Sequence, residues 1–145
     1  MSNLAELSVP EAASKALLTI LGGGFPESYS AKYYNSWKDW VKEEYEIDPE
    51  DLDSAELDDN GSVWSAVMEY EGKTYELDGY SGKVVATYGG EGQGDQYWVV
   101  VSISDGETTR YFRRDGWYAS YDGGYLDGPT SEVVPQEKVI VVYES

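Results

Sequence analysis

The first third of the chain carries apolar residues at helical spacing, and the remainder alternates like strands. Ala12, Ala13, Ala16, Leu17, Ile20 and Leu21 recur on one helix face. Ser8-Val9-Pro10-Glu11 opens that helix as a capping box, with Ser8 as N-cap, Glu11 at N3 and Pro10 in the first turn. Gly22-Gly23-Gly24 closes it. A second helix is predicted from Ser28 or Ser30 to Tyr45, because Tyr33, Trp37, Trp40, Val41 and Glu44 share one side and Lys32, Lys38, Asp39, Lys42 and Glu43 flank it. Asp48-Pro49-Glu50-Asp51 reads as a third helix start, with Leu52, Ala55 and Leu57 as its buried edge and Asn60-Gly61 as the turn that ends it.

From Ser62 onward the pattern predicts strands: Val63 to Tyr70, then a turn at Glu71-Gly72 into Lys73 to Leu77, then Lys83 to Tyr88. Gln96 to Ser104 is the most strongly β-forming run and belongs at the centre of a sheet. Asp105-Gly106 turns it into Thr108 to Arg114, Asp115-Gly116 turns again into Trp117 to Tyr121, and Lys138 to Glu144 ends the series. Asp-Gly at Asp78, Asp105, Asp115, Asp122 and Asp127 marks hairpins, since Asp and Gly tolerate positive φ. The predicted fold is α+β, with N-terminal helices packed on an antiparallel meander of about five to seven strands. Residues 1–145 read as one domain, with 1–60 a helical and acidic layer and 61–145 the sheet.

Charge changes this picture most. Glu43, Glu44, Glu46, Asp48, Glu50, Asp51, Asp53, Glu56, Asp58 and Asp59 put ten carboxylates into seventeen residues, with no cation among them. If helical, this ribbon would span about 25 Å at 1.5 Å per residue. Glu27 to Asn60 holds twelve acids and three lysines, net −9, half of the total charge of −18. Such mutual repulsion costs stability within a Debye length of about 8 Å. Salt adaptation would spread acids over the whole surface, whereas this chain concentrates them; a solvated acidic loop is the plain alternative.

The remaining composition removes whole classes of chemistry. The chain has no Cys and no His, so thiolate catalysis, Ser-His catalysis and tight transition-metal sites are not expected. No pair of carboxylates is singled out by spacing, and the chain is not expected to be an enzyme or to need a cofactor. No register of the acidic ribbon fits an EF-hand; Asp58, Asp59 and Asn60 are what spacing leaves for an irregular calcium site. Gly89 to Asp95 precedes a strand, carries two acids and lacks Lys, so it reads as a hairpin loop and not a phosphate loop. Net charge argues against direct nucleic-acid or membrane binding, no segment has the roughly 20 apolar residues of a span, and the acidic N-terminus is unlike a secretory signal. A cytoplasmic protein is expected.

Two surfaces remain as candidates. The acidic ribbon, at roughly phosphate-like charge density, suits a basic groove on a nucleic-acid-binding protein. Fourteen Tyr and five Trp supply the other: Trp37, Trp40, Trp64 and Trp98 are expected in the core, whereas Trp117, Tyr118, Tyr121 and Tyr125 sit among turns and are expected outside. Asp115 to Tyr125 faintly resembles the Gly-Trp and Trp-Tyr turns of choline-binding cell-wall repeats, but that family builds its cages from tandem repeats and this chain has none. Arg110, Arg113 and Arg114 form the one basic cluster, expected to pair with nearby acids. The leading expectation is an acidic protein-binding inhibitor or modulator. In character, though in no shared motif, it resembles the DNA-mimic anti-restriction and anti-CRISPR proteins of phages and mobile elements. The alternative is an aromatic-surface binding module for carbohydrate or for a structural partner such as a virion.

Overall fold

The computed structural model describes residues 4–27, 29–45, 57–89, 96–119 and 123–135. Helix α1 spans Val9–Gly24 and begins with the anticipated capping box: the Glu11 amide donates to Ser8 Oγ at 3.2 Å and the Ser8 amide to Glu11 Oε1 at 3.3 Å. Its Ala12, Ala13, Ala16, Leu17, Ile20 and Leu21 are all fully buried. They lie against one face of an antiparallel sheet, as α+β packing requires. Small residues set the distance between the layers. A Cβ at Gly82 would stand 3.1 Å from Ile20 and Thr19, and one at Gly23 would stand 2.8 Å from Tyr75.

The sheet comprises β1 Thr74–Leu77, β2 Tyr80–Tyr88, β3 Gln96–Ser104, β4 Thr109–Ala119, β5 Gly123–Tyr125 and β6 Thr130–Val133. The first five follow one another in order, each antiparallel to the next, and β6 pairs with β4. Leu77 and Tyr80 pair across Asp78-Gly79, whose φ values of +52° and +86° are those of a two-residue primed turn. Strand β3 has the expected bounds and lies in the middle. Its Val99, Val101 and Ile103 face α1 together with Val84 and Phe112.

Three sequence expectations are corrected. Val63 to Tyr70 is not a strand: Gly61–Val67 forms helix α3, continued by a 3-10 turn at Met68–Tyr70. Asn60 is its N-cap, accepting on Oδ1 from the amides of Ser62 and Val63 at 3.0 and 3.1 Å, so Asn60-Gly61, which follows a 3-10 turn at Leu57–Asp59, also starts a helix. Val63, Trp64 and Val67 then fall on one buried face. The second helix is interrupted. A 3-10 turn covers Tyr29–Lys32, and α2 begins at Trp37 because Ser36 Oγ accepts the Asp39 amide at 3.2 Å. Tyr33 is left outside, 65% exposed. Asp115-Gly116 is not a turn: β4 runs through it, with Asp115 opposite Trp98 and Gly116 opposite Tyr97.

Because β3 occupies one edge of β4, β5 and β6 share the other. Between the pairs Arg114–Thr130 and Trp117–Tyr125, β4 advances three residues and the returning segment five. The two extra residues form a bulge near Leu126–Pro129, tied back by Gly128 N–H to Asp115 O at 2.7 Å and Asp115 N–H to Pro129 O at 3.1 Å. The expected helix start at Asp48, the strand Lys138 to Glu144 and most of the Gly89 to Asp95 loop lie outside the described residues. No helix among the described residues is long and apolar enough to cross a membrane.

Candidate functional site

The three arginines show first what the basic groups are for. Arg110 donates from Nη1 to the carbonyls of Leu4 and Leu7 at 2.9 and 2.8 Å, and pairs through Nε and Nη2 with both oxygens of Glu132 at 3.0 and 2.7 Å. This fork holds the Glu132 carboxyl below its ordinary range and pushes Arg110 up. Arg113 lies with its guanidinium carbon 4.6 Å from the centre of the Trp98 ring and donates to Asp115 at 2.8 Å. Arg114 is 3% exposed, donating to Leu126 O at 2.9 Å, Thr130 Oγ1 at 3.0 Å and Asp59 O at 3.4 Å. Every arginine is committed to the fold, as the excess of acids anticipates.

Of the ribbon, Glu43 and Glu44 are placed on the last turn of α2, both exposed. Tyr34 donates to Glu44 at 3.5 Å, and its hydroxyl is raised by desolvation and then by the charges of Glu44 and Glu43. Asp59 is exposed, with Oδ1 3.7 Å from Arg114 Nη1. Glu46, Asp48, Glu50, Asp51, Asp53 and Glu56 lie outside the described residues, as does the Asp58 side chain. The Asn60 oxygen considered for calcium is occupied in capping α3. Among the described residues no three acidic side chains converge to hold a metal. Exposed acids continue beyond the ribbon at Glu69, Glu71, Glu76, Asp78, Glu107 and Asp127. Asp105 is a turn-maker instead: it accepts the Thr108 and Glu107 amides at 2.8 and 2.9 Å, which lowers its carboxyl.

The aromatic candidates separate by strand parity. Trp117 and Tyr125 are directly opposite on β4 and β5, point away from α1, and stack with centroids 4.6 Å apart at 23°. They remain 42% and 41% exposed, and Trp117 Nε1 donates to Asp127 at 2.9 Å. Tyr118 faces the other way, half-buried, 6.1 Å from Tyr97. Burial and that neighbour raise the Tyr97 hydroxyl. Tyr121 lies outside the described residues.

Trp98 was expected in the core and is not there. Its parity is that of Gln96 and Val100, so it stands on the outer face, stacked on Tyr88 at 5.7 Å and 12°. Trp98 is opposite Asp115 and Trp117 opposite Gln96, which makes the two indoles diagonal neighbours. Tyr88, Trp98, Trp117 and Tyr125 thus form one oblique aromatic band across four strands. The membership of Trp98 was available from the alternation Val99, Val101, Ile103 against Trp98, Val100, Ser102, whereas Tyr88 shares the parity of buried Val84 and reaches the outer face only through the register shift between Val84 and Ala86. Trp37 is half-buried beside Gly22, whereas Trp40 and Trp64 are core residues as expected. A depression of about 360 Å³ lined by Glu76, Leu77, Asp78, Gly79, Tyr80 and Ser81 is the crook of one hairpin and, among the described residues, gathers no side chains from elsewhere.

No family model, curated protein or solved structure matches this chain.

Proposed function

We propose that this chain is a non-catalytic binding protein that docks an acidic surface, centred on Glu43 to Asp59, onto a basic nucleic-acid-binding protein. In that role it is an inhibitor or modulator of the DNA-mimic kind, of which the anti-restriction and anti-CRISPR proteins of phages are examples, and it works in the cytoplasm of the host cell. The observation that carries the reading is the division of labour among charges. The net charge is −18, while Arg110, Arg113 and Arg114 are all committed to internal acceptors. The outward field is therefore strongly negative, which accelerates encounter with a cationic surface and opposes nucleic acid itself. Affinity capture from the native host, followed by binding of the purified partner in competition with duplex DNA, tests it. DNA should displace the protein from its partner; a captured partner whose binding is indifferent to DNA and to salt argues against mimicry.

A second reading is favoured by the exposed Trp117–Tyr125 stack, which suits a neutral sugar ring or a structural partner such as a virion protein. Binding through that surface alone would vary little with ionic strength, and this separates the two.

A further inference from the structure

We propose that the Trp117–Tyr125 pair is an arginine-binding platform, which takes guanidinium groups of the basic partner onto its outer ring faces beside the Asp127 carboxylate. The proposal rests on the reading above that the partner is basic, and names the side chain that the sheet recognises.

The protein contains a template for the contact. One diagonal step along the same face, Arg113 lies 4.6 Å over the Trp98 ring while its Nε donates to Asp115 at 2.8 Å. That is an indole, a guanidinium and a carboxylate acting together. At the next position the indole and the carboxylate recur: Trp117 donates Nε1–H to Asp127 at 2.9 Å, and Tyr125 stacks on it at 4.6 Å. Among the described residues no cation lies over either ring. The hydrogen bond fixes the indole plane, so little side-chain freedom is lost on binding. Stacking uses one face of each ring and leaves about two-fifths of each residue open.

Charge selects the occupant. An aromatic platform alone takes nucleobases, sugars or cations. A net charge of −18 opposes nucleobases on their phosphate backbone and favours cations. Of the two basic side chains, the flat and weakly hydrated guanidinium stacks on aromatic faces better than ammonium does. The platform therefore prefers arginine to lysine, a preference that net charge alone does not create.

The test uses the full chain and two fluorescently labelled peptides of equal length, one all arginine and one all lysine, titrated at low and at physiological salt. The arginine peptide should bind more tightly, by about fivefold for two exposed cation–π contacts. Trp117→Leu/Tyr125→Leu keeps apolar bulk without the ring faces and should abolish that preference while both peptides still bind. Trp117→Phe/Tyr125→Phe should retain it. Melting followed by circular dichroism verifies that each variant folds. Equal binding of the two peptides by the parent, or an undiminished preference in the Leu variant, overturns the platform and leaves acidic docking standing. Failure of both peptides to bind at low salt overturns both readings. A neutral oligosaccharide such as chitohexaose that binds the parent and displaces the arginine peptide assigns the pair to sugar instead.

Discussion

The Arg114 guanidinium donates to the carbonyl of Leu126 across 2.9 Å at the point where the strand returning along β4 bulges. The same fork reaches Thr130 beyond the bulge and the Asp59 carbonyl just before α3. One buried cation therefore ties the end of the acidic ribbon to the sheet. It also explains why Asp59, though exposed, is not equivalent to the other ribbon acids: it sits 3.7 Å from this guanidinium.

Replacing Arg114 should consequently be severe. Arg114→Met orphans the buried Leu126 carbonyl, and Arg114→Lys leaves a buried ammonium that cannot reach three acceptors at once. Each should lose about 2–4 kcal/mol, with Lys giving no rescue. Urea denaturation measures this as a lowered midpoint at unchanged slope. A lysine variant within about 0.5 kcal/mol of the parent would show that the fork is dispensable.

Two glycines in positive-φ conformations should respond differently to alanine. Gly106 has φ +97° and nothing near its missing Cβ, so Gly106→Ala costs backbone strain alone, about 1 kcal/mol. Gly128 has φ +100°, and its Cβ would stand 2.6 Å from Arg114 Nη1, so Gly128→Ala adds a clash with the buried fork. We expect it to cost at least about 1 kcal/mol more than Gly106→Ala. Equal losses would mean that the bulge yields freely around Arg114.

Acid should act through the Arg110–Glu132 pair. The folded-state pKa of Glu132 is depressed, so its contribution is present above the ordinary carboxylate range and is lost as pH falls through the lower, folded value. Glu132→Gln should be less stable than the parent at pH 7, by no more than about 1 kcal/mol for a carboxylate this exposed. The difference should close below about pH 3. Protonating the many other acids relieves repulsion in both proteins alike. A gap that persists in acid would assign the effect to packing instead of charge.

Much of the fold was legible in the residues. The α1 capping box and the bounds of β3 follow from local rules that no tertiary contact overrides. Asn60-Gly61 misled because the same dipeptide serves as a turn or as an N-cap. The spacing of Val63, Trp64 and Val67, set beside a capping Asn60, was the helical signal. Asp115-Gly116 misled because its turn chemistry yielded to pairing on both edges of β4. Gly116 is there for space, since a Cβ would collide with the Tyr125 carbonyl. The aromatic band was half legible. Trp117 and Tyr125 were named, but grouping them with Tyr118 ignored the period of two that sends neighbours to opposite faces.

The direct measurement for acidic docking compares the parent with Glu50→Gln/Asp51→Asn/Asp53→Asn/Glu56→Gln in binding a purified captured partner at low and at physiological salt. Asp59 is left intact because it adjoins Arg114. Four fewer charges should weaken binding at low salt by at least about tenfold and flatten its salt dependence, with the melting temperature unchanged or raised by the loss of repulsion. Equal affinity of parent and variant at low salt, with both folded, would contradict the account.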